Sequence, residues 1–357
     1  MMRILATVIL GFSLMSVASA AEDVGHEYVY IQATKSKDIW VLDAVSFEIA
    51  GHIPIGDYTD DVIGSADGRF AFGNAQIPTA NSLSPRIAEA GKVFAIDTAT
   101  DRIIWSTYVE GSPNHLAVSP DGKRLYVPLF DRNHILVLDA RSGELVERWH
   151  SFLGNHTLEL SKDGKTLYVG NMVAQVISAY DTAGGPGGKL IKRFAADAAV
   201  RPLVLDPSEK NLIYQLDHLH GFKVRDVATG EIKKSINLPA MPNDVKLPEF
   251  YPYTVDHGLR ASPDGKLLLA AGSLVGYVAA YSLPDYNFLG TIKVGEDPNW
   301  IRFRGDSKIA FVSNRGSNTI SILDLQQMKE IKQVPIGQSP ERLDVIRVPE
   351  RHVAKVN

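Results

Sequence analysis

Short apolar segments alternate with turn residues along almost the whole chain. Residues 124–160 are typical, because runs of four to six residues rich in Val, Leu, Ile and Tyr are separated by Gly, Asp, Asn and Ser. Such runs are typical of strands in an antiparallel sheet, where β-branched and aromatic residues pack well. After residue 21 no long amphipathic helical period interrupts them. The pattern therefore predicts an all-β protein.

One turn sequence separates these segments at regular intervals. Its clear copies, Ser-Pro-Asp-Gly-Lys or Ser-Lys-Asp-Gly-Lys, lie at residues 119–123, 161–165 and 262–266, and degenerate copies lie at 65–69, 206–210 and 304–308. If each unit ends with such a turn, and the last unit lacks it, seven units follow: 28–69, 70–123, 124–165, 166–210, 211–266, 267–308 and 309–350. A repeat of about 42 residues made of short strands predicts a β-propeller. Seven blades can close into a ring that has no exposed sheet edge.

The order of the strands predicts how the ring closes. In such a propeller the strand that leads into the Asp-Gly turn is the innermost of its blade, so the first unit begins with a second strand at residues 28–31. Its inner strand is predicted to come from residues 343–348, near the C-terminus. The alternative is that this tail is a loose extension, because no turn follows it. We expect residues 21–357 to form a single seven-bladed propeller domain whose blades have four strands each.

Several strand sequences resemble those of a known propeller family. The segments that carry the likeness are residues 126–127, 168–171, 311–314 and 320–324, with the strand ends at 294–295 and 336–337 and the prolines beyond them, Pro298 and Pro340. They are similar to the YVTN-repeat (YncE-like) family of seven-bladed β-propellers, although units two, four and five depart from its pattern. The resemblance implies the fold. It implies no single activity, because that family includes binding proteins and proteins of no assigned activity.

The first 20 residues have the pattern of a secretory signal peptide. Arg3 supplies the positive charge, residues 4–17 form the apolar segment, and Ala18-Ser19-Ala20 is a cleavage site of the A-x-A type. The apolar segment is shorter than the ~20 residues that a transmembrane helix needs; an uncleaved anchor is the alternative. We therefore predict a mature chain that begins at Ala21, has no transmembrane segment, and is periplasmic or secreted.

Composition excludes several kinds of site. The chain has no cysteine, so it has no disulfide, no thiolate-bound metal and no Cys-x-x-Cys-His sequence for a c-type haem. Its formal net charge of −4 argues against nucleic acid as a partner. Serine-nucleophile, phosphate-loop and HExxH sequences are absent as well. The predicted partner is a small-molecule ligand or a periplasmic protein.

Polar residues recur where each inner strand begins. Seven places before the Asp position of each turn stand Asp60, Asn114, His156, Arg201, His257 and Asn299. We expect these side chains, with the adjacent Trp300, to be exposed together at the channel mouth opposite the turns and to bind the ligand. Two longer loops, at residues 75–91 and 239–256, belong to the same face, where long loops of repeat proteins commonly mark the binding surface.

Three functions are compatible with this polar ring. The first is a binding or accessory protein whose pocket accepts a small anionic ligand or a redox partner. The second is an enzyme, because His156, Arg201 and Asp217 loosely resemble the His, Arg and acid arrangement of propeller lactonases and lactonising enzymes. In those enzymes the resemblance implies that Arg binds a carboxylate while His or the acid moves the proton.

The third function is a zinc or copper centre. Its candidate ligands are His156, His218, His220 and His257. His218 and His220 would point to one side if their segment were a strand. A structural role is the alternative for the whole ring, because polar residues at strand starts often bond loop backbone or hold channel water. We interpret His115 as structural.

Overall fold

The computed structural model describes residues 25–77, 91–243, 245 and 254–352. In these residues the backbone forms 28 strands in seven four-stranded antiparallel sheets, which confirms the predicted seven-bladed β-propeller. No helix within the described ranges has the length and apolar character needed to cross a membrane. The predicted signal peptide at residues 1–20, and parts of both long loops (including 78–90 and 246–253), lie outside the described residues.

The blades are numbered from the N-terminus. Blade 1 contains β1 (His26–Ala33), β2 (Asp38–Asp43), β3 (Ile49–Pro54) and β28 (Pro340–Val348). Blade 2 contains β4 (Tyr58–Gly64), β5 (Phe70–Gln76), β6 (Gly91–Asp97) and β7 (Arg102–Val109). Blade 3 contains β8 (Ala117–Val118), β9 (Arg124–Pro128), β10 (His134–Asp139) and β11 (Leu145–His150). Blade 4 contains β12 (Asn155–Leu160), β13 (Thr166–Asn171), β14 (Val176–Asp181) and β15 (Lys189–Ala195).

The remaining blades complete the ring. Blade 5 contains β16 (Val200–Leu205), β17 (Asn211–Leu216), β18 (Gly221–Asp226) and β19 (Ile232–Asn237). Blade 6 contains β20 (Leu259–Ala261), β21 (Leu267–Gly272), β22 (Tyr277–Ser282) and β23 (Phe288–Lys293). Blade 7 contains β24 (Pro298–Phe303), β25 (Ile309–Asn314), β26 (Thr319–Asp324) and β27 (Lys329–Pro335). The inner strands β28, β4, β8, β12, β16, β20 and β24 contact one another in this order around the axis.

Both ends of the chain build blade 1. Strand β28 runs antiparallel to β1, with Ile346 opposite Tyr28 and Leu343 opposite Ile31. The alternative of a loose C-terminal extension is therefore wrong, because this strand supplies the inner edge of the blade. Leu343 and Ile31 also pack with Phe311 of blade 7, so the apolar core that joins these two blades depends on the closing strand.

The repeated turn is explained by local hydrogen bonds. In the copy at Ser119, the hydroxyl donates to the Asp121 carboxylate at 2.6 Å and accepts from the backbone N–H of Arg124 at 2.9 Å. Gly122 has a φ of 67°, a left-handed conformation that glycine adopts without a Cβ clash. The turn thus connects each inner strand tightly to the next strand outward and leaves the other end of the inner strand to face the channel.

Candidate functional site

Backbone irregularities mark the polar positions at the start of the inner strands. The register shifts at Asp60 in β4, at His156 in β12, at Arg201 in β16 and at Asn299 in β24. A bulge leaves one residue unpaired and changes the direction of its side chain, which is why bulges are frequent beside functional sites. The shift in β28 falls between Pro340 and Leu343. Four of the six predicted ring positions therefore lie at a bulge.

These residues meet at a polar cavity of about 400 Å³ at one end of the channel. All six predicted ring positions line it: Asp60, Asn114, His156, Arg201, His257 and Asn299. The other lining residues are Gln76, Ser112, Phe130, Met172, Thr254, Ser273, Arg315, Glu341 and Arg342. The ring is not exposed as we expected, because its members, including His156, His257 and Asn299, are largely covered by their neighbours from other blades.

Arg201 and Asp217 form an ion pair within blade 5. The Arg201 Nε donates to Asp217 Oδ1, and its Nη1 lies 3.3 Å from the sulfur of Met172. Burial raises the pKa of Asp217 although Arg201 opposes this shift, and burial lowers the pKa of Arg201 although Asp217 opposes it. Asp217 therefore holds the guanidinium at the cavity wall, where its other N–H groups can meet a ligand.

Arg342 is a functional candidate that the sequence interpretation missed. Its Nε donates to His115 Nε2 at 2.9 Å, its Nη1 lies 3.4 Å from Asn299 Oδ1, and its backbone N–H donates to Gln32 at 2.9 Å. The residue is 4% exposed. The sequence did contain a pattern from which Arg342 could have been predicted, because β28 begins with Pro340 just as β24 begins with Pro298. Aligning these strands would have put Glu341 in the seventh ring position and Arg342 beside it.

Three histidines from three blades meet beside Arg342. The ring centroids of His115 and His156 are 4.5 Å apart, and that of His257 lies 6.1 Å from the first and 5.7 Å from the second. One side-chain nitrogen from each lies within 4.8 Å of the other two, and all three residues are buried. Burial, together with the charge of nearby arginines, holds the pKa of each imidazole well below its usual range. His115, which we had interpreted as structural, thus belongs to the cluster.

His218 and His220 lie elsewhere in the described structure. They occupy the turn between β17 and β18, so the strand that would have aligned their side chains is not formed. His220 bonds through Nδ1 to Asp256 at 3.0 Å and through Nε2 to the Tyr277 hydroxyl at 3.0 Å and the Pro239 carbonyl at 2.8 Å. Burial lowers the pKa of His220, but Asp256 outweighs this effect and the pKa is raised. The cluster of His115, His156 and His257 does not include this pair.

Two aspartates of β4 have unusual protonation. Burial raises the pKa of Asp60 to about 7, although Arg342 opposes the shift, and the Asp60 Oδ2 has no hydrogen-bond partner among the described residues. Burial raises the pKa of Asp61 to about 6, although Arg342 and the backbone N–H of Leu116, at 2.7 Å, oppose it. Asp60 can therefore exchange a proton near neutral pH at the cavity wall.

Trp300 lies beneath the cavity and is not among its lining residues. Its ring centroid is 4.9 Å from that of His115 and 5.7 Å from that of His257, and the Arg342 guanidinium lies 4.9 Å from it. On the other side Trp300 lines a cavity of only about 30 Å³ with Arg302. The predicted ligand contact of Trp300 is therefore not supported by its position, which is that of a floor under the histidine cluster.

Several proteins of known structure resemble this chain in fold. No protein-family sequence profile matches it, and no curated protein sequence matches it either. The periplasmic gluconolactonase PpgL of Pseudomonas aeruginosa has a similar structure over 90% of this chain and 100% of its own, with a TM-score of 0.70 and 16% identity. A candidate 6-phosphogluconolactonase of Bacteroides fragilis is similar over 92% of this chain and 100% of its own, with a TM-score of 0.69 and 17% identity.

A third similar structure belongs to a larger protein. The dihydro-haem d1 dehydrogenase NirN, in complex with DHE, matches over 89% of this chain with a TM-score of 0.63 and 16% identity. The chain spans 65% of the NirN chain. These likenesses show the fold. Because the identities are 17% or lower, they assign no family, and the YVTN-repeat resemblance stays a prediction. The similar propellers include lactonases and a haem-related protein.

Proposed function

We propose that the protein binds a small carboxylate-bearing molecule in the axial cavity. The observation that carries this proposal is the convergence of Arg201, Arg315 and Arg342 on one polar cavity. A cavity of about 400 Å³ suits a small organic molecule. Guanidinium groups bind carboxylates through paired, charge-assisted hydrogen bonds, which are about twice as strong as neutral ones.

Acidic neighbours position these arginines. Asp217 holds Arg201, Asp297 accepts from Arg315 Nε at 2.6 Å, and Glu341 Oε2 lies 3.7 Å from Arg342 Nη1. Each contact restricts the guanidinium without using all of its five N–H donors. The cavity is therefore prepared for a carboxylate, while its asparagine, serine and glutamine side chains offer partners to hydroxyl groups. A sugar acid has both kinds of group.

We also propose that the protein acts outside the cytoplasm. The pattern of residues 1–20 supports export, and one structurally similar protein, PpgL, is a periplasmic gluconolactonase. Sequencing the N-terminus of the protein recovered from the periplasm tests this. We expect it to begin at Ala21, whereas a cytoplasmic protein that retains Met1 would contradict export.

Gluconate, with glucose as the neutral molecule of similar size, provides the test of binding. Calorimetry should detect gluconate and not glucose. Arg315→Gln, which changes the most exposed of the three arginines, should weaken binding about tenfold or more, and Arg201→Lys, which keeps a cation beside Asp217, should do the same. Arg141→Gln, in the exposed turn after β10, is the matched control and should leave binding unchanged. Equal binding of glucose and gluconate, or no loss in both cavity variants, would refute the proposal.

Lactone hydrolysis is the second candidate function. Asp60 favours it, because it lines the cavity and a carboxyl with a pKa of about 7 is partly ionised at neutral pH, so that its carboxylate form can take a proton from a water that attacks a lactone carbonyl. Two similar structures are a gluconolactonase and a candidate 6-phosphogluconolactonase. Proton release from glucono-1,5-lactone should exceed the spontaneous rate, rise as pH passes 7, and be lost in Asp60→Asn. If the lactone binds but reacts only at the spontaneous rate, the protein is a binding protein and this second function is excluded.

A further inference from the structure

The histidine cluster has features that the carboxylate pocket does not require. His115 precedes the short strand β8, His156 lies in β12 and His257 precedes β20, so three blades contribute one imidazole each. One nitrogen from each ring lies within 4.8 Å of the other two. Three nitrogens bound to one ion at about 2.0–2.1 Å lie about 3.4 Å apart. The cluster therefore needs to contract by no more than about 1.4 Å to hold an ion.

Two of the three histidines make a hydrogen bond through Nδ1, which leaves the other ring nitrogen, Nε2, for a metal. His156 Nδ1 lies 3.0 Å from the Thr157 hydroxyl, and His257 Nδ1 lies 3.2 Å from the backbone carbonyl of Asn299. If Nδ1 donates to these oxygens, the lone pair of Nε2 remains for a ligand bond. Metal-binding histidines almost always have such an outer partner, which fixes the tautomer and the direction of the ring.

We propose that His115, His156 and His257 form a copper site that binds Cu(I) on the propeller axis. His156 and His257 also line the carboxylate pocket, but the metal would use only imidazole ligands and none of the arginines that would bind the carboxylate. Imidazole is a common ligand of copper, zinc, iron and nickel, so the donors alone do not select the metal.

The positive charge of Arg342 favours a monovalent metal ion over a divalent one. Its guanidinium lies nearer to His115, at 2.9 Å, than to the carboxylate of Glu341, at 3.7 Å, and the three imidazoles bring no negative charge of their own. Electrostatic repulsion scales with the charge of the ion, so a divalent ion beside this arginine is repelled about twice as strongly as a monovalent one. Among the ions that imidazole binds well, Cu(I) is the monovalent one.

Copper and Arg342 compete for the same imidazole. In the present arrangement the lone pair of His115 Nε2 accepts a hydrogen bond from Arg342 Nε, at 2.9 Å. A neutral imidazole has one acceptor nitrogen, so ligation of a metal requires the arginine to leave it. Other acceptors are nearby, because Glu341 Oε2 is 3.7 Å from Arg342 Nη1 and the unpartnered Asp60 Oδ2 lines the same cavity.

Titration of the full-length, metal-free protein tests the site. Cu(I) is added without oxygen in competition with a chromogenic Cu(I) chelator, and Zn²⁺ is titrated in parallel. We expect one equivalent of Cu(I) to bind more tightly than Zn²⁺. His156→Gln and His257→Gln should each lower the affinity more than the ~10–100-fold that loss of a ligand's outer partner costs.

The control is the pair His134 and His150, whose rings are 5.2 Å apart on the outer part of blade 3. Replacing both with Gln should leave the one-equivalent Cu(I) binding unchanged. Binding that survives in both cluster variants, or that is lost in this control, would refute the site. One equivalent of Zn²⁺ without tighter Cu(I) binding would refute the assignment of copper.

A variant that binds Cu(I) more tightly is also informative, because a misfolded protein would not gain affinity. Arg342→Leu removes the competitor for His115 without adding a sulfur ligand for Cu(I), and a hydrogen bond to a charged group has a strength that corresponds to roughly a ten- to hundredfold change in affinity. We therefore expect Cu(I) to bind that much more tightly to this variant. X-ray absorption of the copper-loaded wild type should show three imidazole nitrogens at about 2.0 Å. An unchanged or weaker affinity in Arg342→Leu would contradict the competition, and fewer than three imidazoles would contradict the ligand set.

Discussion

Aspartates at the two ends of the inner strands have opposite environments. At the turn end, Asp121 accepts hydrogen bonds from the Ser119 hydroxyl at 2.6 Å and from the backbone N–H of Lys123 at 3.1 Å, and these bonds lower its pKa. At the axial end, burial raises the pKa of Asp60 to about 7, and its Oδ2 lacks a partner among the described residues. The same residue type thus completes a turn at one end and holds an exchangeable proton at the other.

The two ends also differ in how they repeat. The Ser-x-Asp-Gly turn uses the same bonds in several blades, as at Ser161 with Asp163 and at Ser262 with Asp264, because each turn meets the same local geometry. The axial positions differ from blade to blade. Repetition at one end therefore builds a symmetric ring, whereas variation at the other end makes an asymmetric site in the centre of that ring.

The largest loss of stability is expected in blade 1, whose inner strand β28 is not followed by the repeated turn. Deleting residues 340–357 removes β28 and exposes the edge of β1. Burying an apolar side chain stabilises by about 1.5–3 kcal/mol, so loss of the buried Leu343, Ile346 and Val348 alone should cost about 5–9 kcal/mol. Chemical denaturation should show that the protein no longer folds cooperatively. Deleting only residues 353–357 is the control, and a longer truncation that kept the wild-type midpoint would contradict closure by β28.

The second effect concerns the axial aspartate. The folded pKa of Asp60, about 7, lies above its unfolded value of about 3.9, so its contribution to stability is complete below pH 4 and is lost as pH rises through 7. Between pH 5 and pH 8 the wild type should lose roughly 3 kcal/mol more unfolding free energy than Asp60→Asn. Denaturation curves at both pH values measure this difference. Parallel losses in the two proteins would show that Asp60 is ionised throughout this range.

A smaller effect is expected at the turn end. Ser119→Ala removes the hydroxyl that accepts from Arg124 N–H and donates to Asp121, which should cost about 1–2 kcal/mol while ligand and copper binding stay unchanged. Ser142→Ala is the control, because its hydroxyl makes two long contacts, with Asp139 at 3.4 Å and with the backbone N–H of Glu144 at 3.3 Å, and the residue is exposed. Differential scanning calorimetry can compare the two. Equal melting temperatures would show that the turn does not depend on its serine.

The smallest effect has the opposite pH dependence. The pKa of Asp121 is lowered, so its contribution to stability is present above the unfolded pKa of about 3.9 and is lost as pH falls. Because this carboxylate is solvent-screened, Asp121→Asn should cost only a few tenths of a kcal/mol at pH 7 and nothing below pH 3. Unfolding free energies measured from pH 3 to pH 7 test the sign. A variant that became relatively less stable at low pH would contradict this interpretation.

Most of the polar residues at the axial cavity could be predicted because each lies at the same distance from the turn of its repeat. Asp60, His156 and Arg201 precede their turns by the same number of residues, so the strand geometry brings them to the same height on the axis. Arg342 was missed because no turn follows β28, and the predicted ring positions were all defined by their distance from a turn. The equivalence of Pro298 and Pro340 was the available signal.

The histidines show why spacing is not sufficient. His115 is one residue beyond its ring position and looked structural, yet β8 has only two residues, and the irregular backbone before it brings the imidazole to the axis. His218 and His220 looked suitable as a pair, but their segment is a turn, where Asp256 holds His220. Local backbone geometry, which periodicity does not report, decided both cases.

By itself, the sequence determined the seven blades, the closing strand and the positions that face the axis. Alternation and Ser-x-Asp-Gly turns act over a few residues, so they can be interpreted without knowing the rest of the chain. Only the tertiary structure decided that Arg342 contacts His115 and that Asp60 has a pKa of about 7. Those properties depend on the distances between residues of different blades and on the burial of their side chains, and these are fixed only once the ring has closed.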